Sequence, residues 1–280
     1  MELLHQGKVR DVYALDAGRL LIVATDRLSA YDVVFPDPIP GKGRVLTALT
    51  RWWLPRVADI VPTHWPGDDA TELASLAGQT CGPLDPAFRA DLPARAMIVE
   101  RCEVIPYECV VRGYAYGSYL KDHPGTPPMT PFDPPLFTPA TKAKQGHDET
   151  IPFERMRDEL GSLADTLREK SLALFQFAAA RCAAAGIVLV DTKFEFGHNA
   201  QGELCLVDEC FTPDSSRFIL QADVARGVYD SFDKQIVRDY VDRIGWDRTP
   251  PAPRLPADII AKTVERYTTI QQRITGATTA

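Results

Sequence analysis

Residues 187–210 read IVLVDTKFEFGHNAQGELCLVDEC, two apolar runs joined by a polar segment. This pattern predicts two strands around a turn, because short apolar runs bounded by turn-forming residues are typical of paired strands. Strand alternation places Asp191, Lys193 and Glu195 on one face of the first strand. If the strands pair with that face matched, Asp208 lies opposite or diagonal to Lys193 and Glu195. We therefore expect carboxylates and a lysine to meet at the end of apolar strands.

A charged group of this kind is costly to bury unless a cation or a ligand compensates it. A hard divalent cation with carboxylate and water ligands is a natural partner, and Mg²⁺ with a nucleoside triphosphate is a common arrangement. Alternation lets only one of Asp208 and Glu209 face such a site, and the pattern leaves that choice open. The alternative is a solvent-facing sheet with surface ion pairs, and this segment alone does not decide between the two.

Working outward, strands and helices follow one another in an irregular order. Strands are predicted over residues 8–15, 19–26, 97–104 and 107–120, and helices over residues 44–60, 153–185, 234–244 and 257–275. Pro55 is expected to kink or break the first helix, and Gly161-Ser162 to break the second. Residues 121–150 hold seven prolines, and we expect a long loop there that serves as a lid.

This order favours an α+β chain with largely antiparallel sheets in two lobes, because regular strand–helix alternation is missing. We place the boundary near residue 93. The expected units are a β-rich N-terminal lobe over residues 1–93 and an α+β C-terminal lobe over residues 94–280.

Composition narrows the function classes. The 280 residues carry 31 Lys+Arg against 38 Asp+Glu, a net charge of −7, and 45% are hydrophobic. These values are typical of a globular chain and argue against a general nucleic-acid or membrane binder. The apolar run 172–190 is interrupted by Gln176, Arg181 and Gly186, so it predicts a buried helix and a strand rather than a membrane span.

The cysteines and histidines predict neither a disulfide framework nor a zinc site. The six cysteines form no C-x-x-C pair, and the five histidines form no H-x-x-x-H pattern. Small buried thiols in a reducing cytosol are the expectation. The N-terminal MELLHQGKVRDVY lacks the apolar core of a signal peptide, so we expect a cytoplasmic protein.

Three further segments are candidates for holding an anion or for bringing an arginine over the same cavity. In GKVRDVY (7–13), Lys8 and Arg10 share a strand face beside a glycine; the alternative is an exposed basic strand. In VVRGYAYGS (110–118), Arg112 enters a turn with two glycines and Ser118; the alternative is a tight turn with the arginine paired to an acid. In TPDSSR (212–217), hydroxyls precede Arg217; the alternative is a serine-rich turn that caps a helix.

These segments together resemble the SAICAR synthetase (phosphoribosylaminoimidazole-succinocarboxamide synthase) family. The matching stretches run in the family's order along most of the chain: GKVRDVY (7–13), TDRLSAYDVVF (25–35), IPGKG (39–43), ECVVRGYAYGSYL (108–120), PPLFTPATKA with GHDE (134–149), DTKFEFG (191–197), VDECFTPDSSRF (207–218) and SFDKQIVRDY (231–240). The resemblance implies a two-lobed fold with ATP in the cleft. It also implies an ATP-dependent ligase of purine biosynthesis that joins L-aspartate to carboxyaminoimidazole ribonucleotide through an acyl phosphate, with Mg²⁺ as cofactor.

The resemblance also implies roles for individual residues. Lys193 and Asp191 match catalytic positions, and Glu195 and Asp208 match metal ligands. Nucleotide contacts are implied for Lys8, Arg10, Glu100, Val104, Lys142 and Lys234, and substrate contacts for Asp32, Arg112, Ser118 and Arg217.

Two other functions stay open at this point. One is a small-molecule kinase on a related scaffold, which would phosphorylate a hydroxyl and ignore aspartate. The other is a nucleotide-binding protein without catalysis. Whether the chain is a monomer or a homo-oligomer is not predicted.

Overall fold

The structure is a computed structural model that describes residues 1–79, 84–142 and 149–276. The strands are β1 (Glu2–Gln6), β2 (Arg10–Ala14), β3 (Arg19–Ala24), β4 (Ser29–Ala30), β5 (Val33–Val34), β6 (Ala96–Glu100), β7 (Glu103–Val104), β8 (Tyr107–Tyr114), β9 (Pro131–Thr141), β10 (Glu149–Thr150), β11 (Ile187–His198), β12 (Leu204–Val207) and β13 (Ser216–Leu220). The helices are α1 (Lys42–Val57), α2 (Ala70–Ala77), α3 (Pro86–Arg89), α4 (Leu92–Arg95), α5 (Ser118–Asp122), α6 (Phe153–Leu160), α7 (Ser162–Ala184), α8 (Gln221–Val224), α9 (Gln235–Arg243) and α10 (Ala257–Thr275).

Two larger antiparallel sheets organise the described chain. The first has four strands in the order β1-β2-β3-β6, and the second has seven strands with the central path β10-β9-β8-β11-β12. Strands β7 and β13 both pair with β11 as well, so β11 contacts four neighbours along its length. This confirms the predicted α+β class with largely antiparallel sheets.

Strand β11 changes which face it presents to the core part-way along. Its register with β13 shifts between Leu189 and Asp191, which is a β-bulge. Ile187 and Leu189 before the bulge, and Phe194 and Phe196 after it, all pack in the same core. Since one extra residue reverses the alternation of a strand, the bulge lets an apolar side of β11 face the core throughout and directs Asp191, Lys193 and Glu195 away from it.

The largest core lies between the second sheet and the helices α1, α7 and α10. Its fully buried side chains include Trp53, Phe194, Phe211, Phe218 and Tyr267. One face of the first sheet packs on α2 and α4 and forms a second apolar cluster. A third apolar cluster lies between the loops that follow β3 and the helices α9 and α10. The described residues include no helix that is long and apolar enough to cross a membrane.

Most of the predicted elements are present. The hairpin of β2 and β3, the break between α6 and α7 at Gly161, and the hairpin of β11 and β12 are confirmed. Pro55 lies in the last turn of α1 and the helix continues to Val57, so it does not break the helix there. The predicted strand over 97–104 is two strands, because β6 joins the first sheet and β7 the second.

The prediction of a long loop over residues 121–150 is wrong. Residues 131–141 form the eleven-residue strand β9, which pairs with β8 from Tyr107 to Tyr114. Its prolines are tolerated because, within the part of the chain that the structure describes, β10 pairs with the outer side of β9 only at Ala140 and Thr141. Part of the expected lid, residues 143–148, lies outside the described residues.

The division of the chain near residue 93 stays a prediction. Strand β6, after that position, pairs with β3 from the first half of the chain. The four-stranded sheet therefore draws on residues from both sides of 93.

We expect Gly197→Ala to lower the free energy of unfolding by about 1–3 kcal/mol, since a Cβ added to a close-packed site forces the backbone to shift. That atom would meet the Glu103 carbonyl oxygen at 2.8 Å and the Cys102 Cβ at 3.1 Å. Gly18→Ala is the control, because its added Cβ meets nothing within 4 Å, and it should change the value by about 0.5 kcal/mol or less. Urea unfolding of both variants is the measurement, and equal stabilities would contradict the close approach.

Candidate functional site

Asp191 lies between two arginines that the strand register brings beside it. It pairs with Arg112 on β8 and with Arg217 on β13. The Arg217 guanidinium donates to the Asp191 carboxylate, and Arg112 Nη1 lies 3.5 Å from the same oxygen. Arg112 Nη2 also lies 3.3 Å from Ser118 Oγ, at the start of α5. The four side chains predicted at this end of the site are therefore together.

A cavity adjoins this group. It has a volume of about 360 Å³ and is lined by Arg112, Thr138 on β9 and Tyr119 on α5, among others. Burial lowers the pKa of Arg112, but a guanidinium stays charged throughout the physiological range. The arrangement offers two forked cations and a hydroxyl, which suits an anionic group of a ligand.

Lys193 and Glu195 stand next along the same face of β11. The Lys193 ammonium pairs with Glu108 on β8 and lies 3.5 Å from Glu195 Oε1. Lys142, directly after β9, pairs with the other oxygen of Glu195. Burial alone would lower the pKa of Lys193, but the carboxylates of Glu195 and Glu108 outweigh it and raise the value. The group thus holds a charged lysine between two carboxylates.

Arg10 and two carboxylates lie beyond Glu195. Arg10 Nη2 is 2.6 Å from Asp208 Oδ2, and its Nη1 is 2.9 Å from Glu209 Oε1. Burial raises the pKa of Asp208 to about 6, against the opposing effect of Arg10, and the nearby charge of Glu195 adds to the rise. The carboxylates of Asp208 and Glu195 are therefore close enough to interact.

The backbone conformation separates the roles of Asp208 and Glu209. In the β11–β12 register Glu195 faces Val207, so simple alternation would not bring Asp208 to the face of Glu195. Asp208 instead has a φ of 65° directly after the strand, a left-handed conformation that aspartate tolerates better than most residues. The Glu209 carboxylate also accepts a hydrogen bond from Thr212 Oγ1 at 2.7 Å and is 8% exposed. Asp208 is the more accessible of the two acids.

Lys234 belongs to a buried cluster that the sequence did not predict. Its Nζ lies 3.3 Å from Asp214 Oδ2, Lys42 Nζ lies 2.7 Å from the same oxygen, and Tyr267 donates to Oδ1 at 2.6 Å. Burial alone would raise the pKa of Asp214, but Lys234 and Lys42 outweigh it and lower the value. Burial lowers the pKa of Lys234. Two lysines thus share one carboxylate.

The remaining predicted residues lie at the margin of this network. Lys8, in the turn between β1 and β2, pairs with Asp32, and both side chains are at least 40% exposed. Glu100 ends β6 and Val104 lies on β7, on either side of a two-residue connection between the sheets. The structure does not bring Glu100 and Val104 into the charged network on β11.

No metal-binding group of three or more His, Cys, Asp and Glu side chains occurs within residues 1–79, 84–142 and 149–276. Glu195 and Asp208, the two predicted metal ligands, carry carboxylates whose charges act on one another. Magnesium often binds through one or two carboxylates and completes its octahedron with phosphate oxygens and water. The donor set therefore fits Mg²⁺ bound together with a phosphate ligand.

Comparison with known proteins identifies the family. The profile of the family described as SAICAR synthetase matches residues 3–253. Phosphoribosylaminoimidazole-succinocarboxamide synthase of Methylococcus capsulatus is 45% identical over 291 residues, which cover 99% of this chain and 95% of that protein. The chain belongs to the SAICAR synthetase family. The enzyme of the same name from Methylibium petroleiphilum is 44% identical over 296 residues and covers 99% of this chain.

Solved structures of SAICAR synthetases share this fold. The Saccharomyces cerevisiae SAICAR synthase complexed with SAICAR has a TM-score of 0.84 and 33% identity, covering 100% of this chain and 96% of that one. A SAICAR synthetase in complex with ADP has a TM-score of 0.72 at 24% identity, which compares the fold alone. The predicted family and fold class are confirmed, and this member of the SAICAR synthetase family is an enzyme, a ligase.

Several residues of the site escaped prediction although they lie in the quoted motifs. Glu108 is the first residue of ECVVRGYAYGSYL, Lys42 is the lysine of IPGKG, and Asp214 is the second aspartate of VDECFTPDSSRF. Their partners come from distant parts of the chain, with separations that local alternation cannot reveal. Glu108 could have been found as an acidic residue on a predicted strand that can pair with the strand of Lys193.

We expect Lys42→Met to lower the free energy of unfolding by about 1.5–3 kcal/mol, because Asp214 loses the charge-assisted contact with the nearer of its two buried lysines while it keeps Lys234 and Tyr267. Both side chains of the Lys42–Asp214 pair are 2% exposed or less. Lys262→Met is the matched control: its pair with Asp258 is 57% and 64% exposed, so the loss should stay below about 1 kcal/mol. Denaturant unfolding of both variants is the measurement. The expectation would be contradicted if Lys42→Met lowered the free energy of unfolding no more than Lys262→Met does.

Proposed function

We propose that this chain ligates L-aspartate to carboxyaminoimidazole ribonucleotide at the expense of ATP, giving the succinocarboxamide ribonucleotide, ADP and phosphate. The observation that carries the proposal is the row Asp191, Lys193 and Glu195 on β11. Its first member is flanked by two arginines, and the charge of its last member acts on Asp208. An anion clamp at one end and a pair of hard oxygen ligands at the other suit a phosphorylated substrate and a metal-bound nucleotide.

The chemistry requires an activated carboxylate. A carboxylate is a poor acyl donor, so transfer of the γ-phosphoryl group to one of its oxygens, with ADP leaving, gives an acyl phosphate. The amine of L-aspartate then attacks the acyl carbon, phosphate leaves, and the amine loses a proton. Because phosphoryl transfer depends mainly on positioning and charge neutralisation, Lys193, placed between the two ends, would bridge the phosphoryl group and the substrate carboxylate, with Asp191 orienting the arginines.

The ribonucleotide end of the site is assigned to Arg112, Ser118 and Arg217. Both guanidiniums contact Asp191, and the Ser118 hydroxyl lies beside that of Arg112. Arg217 Nε also lies 3.8 Å from Asp233 Oδ2. A 5′-phosphate there would receive forked hydrogen bonds, the geometry that guanidinium groups favour. Asp32 is proposed to lie near the imidazole of the substrate.

The nucleotide end is assigned to six residues. Lys8, Arg10, Lys142 and Lys234 would contact phosphates, and the connection from Glu100 to Val104 would meet the adenine. Lys142 and Arg10 are paired with Glu195 and Asp208 in this structure. We propose that these cations exchange their carboxylates for phosphate oxygens when the nucleotide binds. A SAICAR synthetase of the same fold has been solved with ADP, which supports a nucleotide as one ligand.

Glu195 and Asp208 would hold Mg²⁺ in this proposal. The ion would neutralise charge on the triphosphate when bound. The chain's own part is to keep both carboxylates ionised and close together, which Lys193 and Arg10 favour by their charge. The five described cysteines are free, which agrees with a reducing, cytoplasmic setting. The oligomeric state stays open.

The test is ADP release from Mg²⁺-ATP, measured with carboxyaminoimidazole ribonucleotide and with or without L-aspartate. We expect ADP and succinocarboxamide ribonucleotide in equal amounts only when both substrates are present. ADP formation that ignores aspartate would favour a kinase. A folded protein that binds ATP and turns nothing over would favour the non-catalytic alternative.

Arg217→Ala should raise the KM for the ribonucleotide at least tenfold and the KM for ATP by much less. The loss of a charge-assisted contact to the phosphate removes on the order of 1.5–3 kcal/mol of binding. Steady-state kinetics with each substrate varied in turn is the measurement, and Arg254→Ala, on an 81% exposed side chain, is the control. Equal effects on the two KM values would place Arg217 elsewhere.

Glu195→Gln should leave ribonucleotide binding intact and weaken the use of Mg²⁺-ATP by about tenfold or more, because one of two anionic ligands is lost. A titration of activity against Mg²⁺ at fixed ATP would show the shift. An exposed acid, Glu149→Gln at 69% exposure, serves as the comparison. Unchanged Mg²⁺ dependence would remove Glu195 from the metal site.

A further inference from the structure

The turn between β1 and β2 lies beside two cations that are assigned to the nucleotide. It consists of residues 7–9 and includes Lys8, and Arg10 follows as the first residue of β2. The Gly7 N–H donates to the Arg10 carbonyl at 2.7 Å and closes the turn. Apolar packing contributes little to its position, because all five residues of β1 and Lys8 itself are exposed. The position of the 7–9 turn therefore depends on polar contacts.

Arg27, three residues after the end of β3, joins the two ends of the 7–9 turn. Its Nη2 donates to the Gly7 carbonyl at 2.8 Å and to Asp11 Oδ1 at 2.6 Å, and its Nη1 donates to Asp11 Oδ2 at 3.2 Å. The Asp11 side chain is 5% exposed, so this charge-assisted pair is forked and largely shielded from water. One side chain thus contacts the residue at which the turn begins and the strand into which it leads.

The two residues before Arg27 add to this contact and fix it to the core. The N–H and the Oγ1 of Thr25 both donate to the Val9 carbonyl, at 3.0 and 2.8 Å. The Arg27 N–H donates to Thr25 Oγ1 at 3.2 Å. The Asp26 carboxylate accepts the N–H of Gly43, in the first turn of α1, at 3.0 Å. Because α1 packs in the largest core, the 7–9 turn is held from a rigid part of the fold.

A turn that is ordered in advance favours the binding of phosphates. Lys8 and Arg10 can act on the same ligand only when the backbone near them keeps one conformation. Ordering a loose turn at the moment of binding lowers the affinity, because the conformational entropy is then lost at the expense of the contact energy. The guanidinium of Arg27 supplies this order before the ligand binds.

We propose that Arg27 is a positioning residue, which holds the 7–9 turn in the conformation that directs Lys8 and Arg10 to the phosphates of the nucleotide. This inference rests on the proposed function. It deepens that function by naming a residue that acts on the phosphate contacts through the backbone of the turn, without contacting the nucleotide itself.

The test compares the binding of ADP and of adenosine by isothermal titration calorimetry with Mg²⁺ present, with adenosine measured by displacement. For Arg27→Gln, which removes the charge and the fork, we expect the Kd of ADP to rise by about tenfold or more, because misplaced phosphate contacts lose affinity. The Kd of adenosine should stay within about twofold, since adenosine has no phosphate to receive charge-assisted hydrogen bonds. Arg27→Lys keeps the charge without the fork and should raise the Kd of ADP by about threefold or more.

Arg51→Gln is the matched control for a loss of stability alone. Arg51 Nη2 donates to Asp69 Oδ1 at 2.7 Å, and its Nη1 donates to the Pro93 carbonyl at 2.8 Å. The side chains of this pair are 23% and 7% exposed, against 25% and 5% for Arg27 and Asp11. The control should leave the Kd of ADP within about twofold of the wild-type value, because its contacts lie outside the 7–9 turn.

Asp11→Asn separates positioning from a direct contact between Arg27 and the phosphates. This variant removes the charge that holds the guanidinium, so a positioning role predicts that the Kd of ADP rises by about threefold or more. If Arg27 bound the phosphates itself, its release would leave ADP binding unchanged or make it tighter. That result would overturn the proposal.

Three further results would also overturn it. They are a Kd of ADP within about twofold of the wild-type value in Arg27→Gln, an equal rise for ADP and adenosine in that variant, and an equal rise for ADP in Arg51→Gln. If Arg27→Gln does not fold, Arg27→Lys is judged by the same comparisons. A wild-type protein that binds ADP no more tightly than adenosine would instead refute the proposed nucleotide site, before any variant is interpreted.

Discussion

The burial of a row of charges on one strand is the constraint that the surrounding structure satisfies. Asp191 and Glu195 are 5% and 6% exposed, and unpaired carboxylates at that depth would be prohibitively costly. Cations from other elements therefore compensate them: Arg217 from β13, Arg112 from β8 and Lys142 from the end of β9. The bulge in β11 makes this possible, because it turns the charged row away from a core that the same strand fills with phenylalanines.

Much of the fold followed from local patterns. Alternation along 187–210 predicted the β11–β12 hairpin and the common face of its three charged residues, and the glycine at 161 predicted the break between two helices. The arginine segments predicted candidate anion contacts, and the structure brings Arg112, Ser118 and Arg217 to one place. The roles of these residues stay predictions.

What escaped prediction depends on pairing over long distances or on backbone geometry. Strand β9 was not predicted because its prolines are typical of loops. They are tolerated in the strand because, among the described residues, β10 pairs with only one end of the outer side of β9. The conformation of Asp208 has no local signal beyond the residue type, so the choice between it and Glu209 needed the structure. The Lys42–Asp214 pair joins residues 172 positions apart and leaves no periodic trace in the sequence.

The most direct test of the account is a crystal structure with Mg²⁺, ADP and carboxyaminoimidazole ribonucleotide bound. The account predicts a Mg²⁺ about 2.0–2.1 Å from carboxylate oxygens of Glu195 and Asp208, with Lys142 on a nucleotide phosphate and the ribonucleotide phosphate between Arg112 and Arg217. A metal held by other residues, with Glu195 still paired to Lys142, would contradict it.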